Sequence, residues 1–252
     1  MSTGIVRDVY LYPVKGAQPD RVDYLDIDER VGVKNDRHYA IRRVSGDMST
    51  WAPKPAFYVC MNTAQMAAER PVFVGGSNRM GGINELARDY LAGLAKRLNL
   101  EDGVKVQEAD GSYNLSDTKG NYVSFLNLAS VEALSNFAGI HISPHRFRMN
   151  VWLTGLEPFE ELSWVDVYPG FRDIQVGTGR FRVDDACERC AAIEANPLTG
   201  TYDIPLRQIL TEMMTQRGYK SPHRGVPTVM GILASPLKWV VLRRSDPVKL
   251  IS

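Results

Sequence analysis

The sequence predicts a mainly β protein with a smaller α content, an α+β fold built around a barrel-like sheet. Short segments rich in β-branched and aromatic residues recur along the chain, which is typical of strands. Only two or three stretches carry apolar residues at three- and four-residue steps, the spacing of an amphipathic helix. This mixture favours a barrel-like β domain over a doubly wound sheet. With 252 residues, 44% of them hydrophobic, the chain can bury a substantial core, and we expect two domains.

The first domain is predicted to span residues 1–115 and to be a mostly β, barrel-like unit with one or two helices. A hairpin connection is expected at 45–47 and a glycine-rich loop at 75–82, because glycine and small polar residues are typical of tight turns. A helix is expected after Asn84, a residue type suited to capping a helix N-terminus. The predicted strands are 5–12, 21–27, 38–44, 48–51 and 71–74, and the apolar face of the helix consists of Leu86, Tyr90, Leu91, Leu94 and Leu98.

The second domain is predicted to span residues 116–252. Residues 109–120 are polar and rich in turn formers, which is typical of a domain boundary. One helix is expected after Asn127, and another has Pro205 near its first turn and Gly218 at its end. The apolar stripe of the first helix is Leu128, Val131, Leu134 and Phe137, and the predicted strands are 151–153, 172–176, 180–183, 191–194, 226–233, 239–243 and 248–251.

Composition disfavours two classes of partner. The net charge is +1 and the thirty basic residues are spread along the chain, so no nucleic-acid partner is expected. No run of about 18 apolar residues is present, so no membrane span is expected. The number of cysteines, three, is small and odd for a secreted scaffold. This favours a reducing compartment and a cytoplasmic location.

A C-x-x-C motif, Cys187 and Cys190, lies between a predicted strand and a Pro/Gly turn. Such a motif can be a redox dithiol, half of a metal site, or one thiolate ligand in a strong electrostatic setting. The segment lacks the strand-to-helix context of a thioredoxin-like dithiol, and the remaining cysteine and histidines lack the paired spacing of a zinc site. Arg189 supports the single-ligand interpretation of Cys190, because a nearby cation favours the thiolate. Cys60 lies in an apolar run and is expected to fill the core.

Donors suited to a phosphate or a pterin ring occur in several other segments. Arginine binds phosphate with two hydrogen bonds, lysine supplies a point charge, and asparagine offers a donor and an acceptor. Each of these residues taken alone is better explained as a solvated surface group, so only their joint pattern supports a binding site. The residues are Lys15, Arg37, Arg148 and Asn150.

The joint pattern consists of five motifs in order along nearly the whole chain. They are YPVKG at 12–16, VGVKNDRHYAI at 31–41, FRMNV at 147–151 with EELSW at 160–164, ACERC at 186–190 with NPLTG at 196–200, and DPV at 246–248. This pattern resembles the MOSC proteins, a family named for the C-terminal domain of molybdenum cofactor sulfurase. The resemblance includes the N-terminal β domain that accompanies MOSC in the mitochondrial amidoxime-reducing component and its bacterial relatives.

The resemblance implies a MOSC β-barrel domain and a molybdenum cofactor, a molybdopterin, held between the two domains. Cys190 would be the molybdenum ligand and the catalytic residue, with Cys187 as a neighbour. Gly16 replaces the family's usual serine, although its backbone N–H can still meet a phosphate. The implied cofactor-binding residues are Lys15, Gly16, Arg37, Ser124, Arg148, Asn150, Arg189 and Cys190.

The function implied is an oxidoreductase that reduces N-hydroxylated compounds such as amidoximes and hydroxylamines. Its electrons would come from a separate ferredoxin-, flavin- or cytochrome b5-type protein, because no cysteine-rich iron–sulfur module follows. One alternative is a carrier of molybdenum cofactor or sulfur that reduces nothing. Another is a two-domain β protein with a redox-active C-x-x-C pair and no cofactor.

Overall fold

The computed structural model describes residues 3–43, 52–71, 84–100, 104–117, 120–165, 172–222 and 225–251. The predicted hairpin at 45–47, the strand 48–51, the glycine-rich loop 75–82 and all but the first residue of the strand 71–74 lie outside these ranges. The strands are β1 Gly4–Leu11, β2 Asp20–Val22, β3 Tyr24–Asp28, β4 Gly32–Val33, β5 Tyr39–Arg42, β6 Lys105–Glu108, β7 Val123–Asn127, β8 Val151–Thr154, β9 Arg172–Val176, β10 Gly179–Glu188, β11 Val229–Pro236, β12 Val240–Arg243 and β13 Pro247–Leu250; the helices are α1 Asn84–Arg97, α2 Leu128–Ala138 and α3 Leu206–Gln216.

Seven of these strands close into a barrel. Their order is β13-β9-β10-β11-β7-β8-β1, and pairing of the start of β1 with β13 closes the ring, while β2 pairs with the end of β1 on the same edge. Neighbours are antiparallel except β7 and β8, which are parallel because α2 lies between them in the chain and provides the crossover that parallel strands need. The barrel encloses the largest hydrophobic core. The predicted mainly β fold with some helix is confirmed.

The helices begin and end largely where the sequence indicates. In α2 the Asn127 side chain accepts a hydrogen bond from the backbone N–H of Ala129, and Gly139 ends the helix in the left-handed conformation, as capping residues do. The predicted apolar face of α2 holds for Val131 and Leu134, which are buried, but not for Phe137, which is 39% exposed. No helix in the described part of the chain is long and apolar enough to cross a bilayer.

The remaining strands form two smaller sheets, β12-β3-β4 and β5-β6. Helix α1 begins at Asn84 itself and buries Leu91 and Leu94 in a second core that includes Tyr39 and Ile41 of β5. Strands β1 and β3 lie before residue 115, yet β1 pairs with β8 and β13, and β3 pairs with β12. Strands from the two predicted domains therefore pair within the same sheets. A domain boundary between residues 115 and 116 stays a prediction.

One predicted strand is wrong and lies next to the cysteine motif. Residues Ala191–Glu194 form a short 3-10 helix. The buried guanidinium of Arg146 donates to the carbonyls of Ile193 (3.3 Å) and Glu194 (3.1 Å) and to both carboxylate oxygens of Asp203 (2.8 Å each). These bonds satisfy carbonyls that a strand would have used in a ladder.

Candidate functional site

All eight predicted site residues line one cavity of about 400 Å³. Lys54, Cys60, Asp117 and Cys187 line it as well. The residues come from both sides of the predicted domain boundary and from loops next to β1, β5, β8 and β10. Volumes of roughly 300 to 1,000 Å³ are usual for small-molecule sites. The residues selected from the sequence thus lie at one cavity of the fold. Their roles in cofactor binding stay predictions.

Lys15 and Gly16 follow β1 in a loop that is tied to β5, because the Lys15 N–H donates to the Tyr39 carbonyl at 2.8 Å. The Lys15 ammonium is only 3% exposed and donates to the Leu115 carbonyl (2.6 Å) and to Asp117 Oδ1 (2.7 Å). Burial lowers the pKa of Lys15 to about 8, although Asp117 opposes this effect. The Lys15 ammonium at the cavity has therefore lost most of its hydration, and the Asp117 carboxylate partly compensates for this loss.

Gly16 has a φ of 91°, and a Cβ at this position would lie 3.1 Å from Val59 Cα and 3.3 Å from the Tyr58 carbonyl oxygen. Residues with a side chain rarely adopt this backbone conformation. The departure from the family's serine at position 16 therefore has a local structural reason in this chain.

Arg37 and Arg148 both stack on the buried ring of Tyr12, with guanidinium carbons 4.9 and 4.8 Å from its centre. Arg37 also pairs with Asp36 and donates to the Arg148 carbonyl at 3.0 Å. Both arginines have left-handed backbones, with φ of 48° and 54°. Such strain in residues other than glycine persists where the surroundings enforce it and is concentrated at functional sites.

Ser124 on β7 and Asn150 before β8 are buried and bonded to each other. The Ser124 hydroxyl donates to Asn150 Oδ1 at 2.7 Å and accepts from the Asn150 backbone N–H at 2.9 Å. Asn150 Nδ2 also donates to Asp36 Oδ1 at 3.0 Å. In this structure the two residues brace Asp36, the carboxylate that pairs with Arg37.

The two cysteines of the motif contact different cations. Arg189 Nη1 donates to Cys187 Sγ at 2.9 Å and Nη2 donates to the Phe147 carbonyl at 2.5 Å. Cys190 is contacted by Lys54, whose Nζ lies 3.2 Å from Sγ. Arg189 is therefore the hydrogen-bond partner of Cys187, and its electrostatic support of Cys190 stays a prediction.

Sequence reasoning missed Lys54 and Asp117. Asp117 lies in the polar run that was interpreted as a domain boundary, and Lys54 lies in a Pro-Lys-Pro segment 136 residues before Cys190. The Asp117 carboxylate bridges Lys15 and Lys54, with each Nζ–Oδ distance 2.7 Å. Loss of hydration alone would raise the pKa of Asp117, but the two ammonium groups hold it well below its usual range. The Pro-Lys-Pro pattern was the one signal in the sequence that could have drawn attention to Lys54.

The charges of the cavity suit an anion. Among the described residues, five cationic side chains line it against two carboxylates, Asp117 and Glu188. Two buried guanidinium nitrogens, Arg148 Nη2 and Arg189 Nε, have no hydrogen-bond partner within the part of the chain that the structure describes. Because buried polar groups are nearly always bonded, these two donors are available to an acceptor-rich ligand. The cations are Lys15, Arg37, Lys54, Arg148 and Arg189.

The other uses of the cysteines can be compared with the same geometry. Cys60, Cys187 and Cys190 are free thiols. Within the described ranges, no three histidine, cysteine or acidic side chains are grouped as a metal site. Cys60 is buried in the second core, as expected, and its thiol also donates to the Gly16 carbonyl at 2.9 Å.

Comparison with known families decides the classification. The model of the MOSC domain matches residues 112–246, more than half of the chain. This chain belongs to the MOSC domain family. The MOSC match contains Ser124, Arg148, Asn150, Arg189 and Cys190, whereas the other predicted site residues precede it.

Similar proteins cover almost the whole MOSC chain. The mitochondrial amidoxime reducing component 2 of Bos taurus is 24% identical over 97% of this chain and 82% of its own length. The mitochondrial amidoxime-reducing component 1 of Xenopus laevis is 23% identical over 97% of this chain and 81% of its own length. Among solved structures, the YuaD protein of Bacillus subtilis covers 98% of this chain and 97% of its own at 12% identity, with a TM-score of 0.44.

Proposed function

We propose that this MOSC protein is a molybdenum-cofactor-dependent oxidoreductase that reduces N-hydroxylated compounds, with Cys190 as the molybdenum ligand. The observation that carries the proposal is one cavity in which, among the described residues, three thiols including Cys190, five cations and two guanidinium donors without a hydrogen-bond partner converge. Thiolates suit soft metal centres, and arginine and lysine suit phosphate. The names of the similar animal proteins, which are amidoxime reducing components, agree with this chemistry.

The residues of the cavity fit a molybdopterin. Lys15 is buried beside the Gly16 backbone, so these two would hold an anionic group such as a phosphate. Arg37 and Arg148 are fixed on Tyr12, and Arg148 Nη2 and Arg189 Nε would find acceptors on the ligand. Ser124 and Asn150 would hold Asp36 in place, and Asp36 would in turn fix Arg37 at the cavity.

The cofactor, when bound, supplies the two-electron chemistry, and the protein positions it and adjusts the metal through one thiolate. In the overall reaction an N–OH group, two electrons and two protons give an N–H group and water. The two electrons come from a separate electron-transfer protein. Cys190 is half-buried at the cavity, and a small substrate would bind beside its sulfur.

The proposal is tested with protein purified from a host that makes the cofactor. Molybdenum content is measured, and benzamidoxime reduction is followed with an artificial electron donor. The wild-type chain is expected to carry molybdenum and to reduce benzamidoxime, and Cys190→Ala is expected to abolish turnover. Cys187→Ala is the matched control, since it removes the other thiol of the motif, and it should retain turnover.

Two results would argue against the reductase. A folded wild-type chain without molybdenum would contradict cofactor binding altogether. Bound cofactor without turnover of any N-hydroxylated compound would favour the carrier function instead.

A further inference from the structure

Lys54 occupies a position at the cavity that neither the motifs nor the family pattern assigns. Its ammonium lies 3.2 Å from Cys190 Sγ and 2.7 Å from Asp117 Oδ2, and its side chain is 23% exposed. We propose that Lys54 is the positioning residue for the Cys190 sulfur and that Asp117 directs Lys54 toward it. The inference rests on the proposed function, in which this sulfur is the molybdenum ligand.

The backbone around Lys54 is unusually constrained. Pro53 and Pro55 flank it, and proline fixes its own φ and restricts the residue before it. Lys54 begins a short 3-10 helix in which the Ala56 N–H donates to the Pro53 carbonyl (3.0 Å) and the Phe57 N–H to the Lys54 carbonyl (3.1 Å). Phe57 is fully buried and anchors the segment. The base of the lysine side chain therefore has little freedom.

The far end of the side chain is held by Asp117. One Asp117 oxygen accepts from Lys54 and the other accepts from Lys15. Lys15 is itself fixed by the Leu115 carbonyl and lies 5.0 Å above the centre of the Phe57 ring. Three charge-assisted contacts thus link Lys15, Asp117, Lys54 and Cys190 in one chain, and such contacts are stronger than neutral hydrogen bonds.

Contacts to the atoms around a metal ligand orient it and adjust its electron donation, and their loss commonly costs about 10- to 100-fold in metal affinity or activity. An ammonium that donates to a thiolate withdraws electron density from the sulfur. Without Lys54 the sulfur should donate more strongly to the metal, which stabilises the oxidised centre and lowers its reduction potential. It should also be less well oriented, so the cofactor should leave faster.

The test uses the holoenzyme with Lys54→Met, Lys54→Arg and the exposed control Lys249→Met. Two quantities are measured: the dissociation rate of the cofactor, from the fluorescence of the released and oxidised pterin, and the midpoint potential of molybdenum. We expect Lys54→Met to release the cofactor about 10-fold faster and to shift the potential to a more negative value. Lys54→Arg should restore part of both, because it keeps a donor and a charge, and Lys249→Met should match the wild type.

A purely structural role for Lys54 would change the dissociation rate without moving the potential, and that result would overturn the inference. An unchanged rate and potential in Lys54→Met would overturn it as well. If Lys54→Met fails to fold, Asp117→Asn replaces it, since it keeps Lys54 but removes the group that directs it, and it should move both quantities in the same direction. Molybdenum missing from the wild type would overturn this inference and the proposed function together, whereas an unaffected variant of a molybdenum-loaded wild type overturns the inference alone.

Discussion

A buried carboxyl group outside the cavity should make the stability of the protein depend on pH. Glu161 is fully buried in the EELSW segment, where Asn127 Nδ2 donates to it at 3.0 Å and the Ser130 hydroxyl at 2.9 Å. Asn127 is also the residue that caps α2. Burial raises the pKa of Glu161 from its usual 4.5 to about 7, against the effect of these hydrogen bonds.

The sign follows from proton binding. Between pH 4.5 and about 7 the folded chain keeps the proton on Glu161 while the unfolded chain has released it, so the stabilisation is complete at low pH and is lost as the pH rises through 7. Each pKa unit corresponds to about 1.4 kcal/mol. This group alone should therefore lower the free energy of unfolding by about 3 kcal/mol over that interval.

Glu161→Gln should remove this dependence, because glutamine does not titrate. The assay is urea unfolding of the cofactor-free wild type and variant at a series of pH values from about 4 to about 8. The difference between their unfolding free energies cancels the contributions of other groups, and it should change by about 3 kcal/mol in favour of the variant as the pH rises. Glu160→Gln controls for the loss of one negative charge at the same place in the chain. A difference between wild type and Glu161→Gln that stays constant with pH would refute the reasoning.

Three further substitutions can be checked by the same unfolding measurement. Gly93→Ala should stabilise the protein by about 0.5–1 kcal/mol, because Gly93 is inside α1 and its Cβ would meet nothing closer than 3.6 Å; a loss of stability would contradict this. Gly16→Ser should destabilise it by about 1–3 kcal/mol, since its φ is 91° and Val59 Cα is 3.1 Å from the added atom; a neutral result would show that the loop can relax. Arg146→Ala should lower the free energy of unfolding by about 3 kcal/mol, because Arg146 pairs with Asp203. It should also lower the molybdenum content, because Arg146 fixes the segment after Cys190. Full molybdenum content in the variant would argue against a link between this segment and cofactor binding.

The features that the sequence predicted correctly depend on local signals. Asn127 caps α2 at its start, and Pro205 and Gly218 enclose α3. A cap or a helical apolar stripe is visible within a few residues of the chain. Six of the seven barrel strands were recognisable for the same reason, since their composition is a local property, but β7 was not predicted.

The features that the sequence did not reveal depend on distant contacts. Residues Ala191–Glu194 have the composition of a strand. The guanidinium of Arg146, which belongs to another element, donates to two of their carbonyls, so these carbonyls do not pair with a neighbouring strand. Lys54 reaches Cys190 across 136 positions, which no spacing rule detects. Arg189 is adjacent to Cys190 in sequence but bonds to Cys187, because adjacency in the chain does not fix the direction of a side chain.

The most direct test of the central claim is the number of sulfur ligands on molybdenum, measured by X-ray absorption on the wild type, Cys190→Ala and Cys187→Ala. A molybdopterin supplies sulfur ligands of its own, so the thiolate of the protein is seen as one additional sulfur. We expect Cys190→Ala to lose one molybdenum–sulfur distance and Cys187→Ala to keep the wild-type number. The same sulfur count in Cys190→Ala and the wild type, or its loss in Cys187→Ala, would contradict the assignment of Cys190 as the metal ligand.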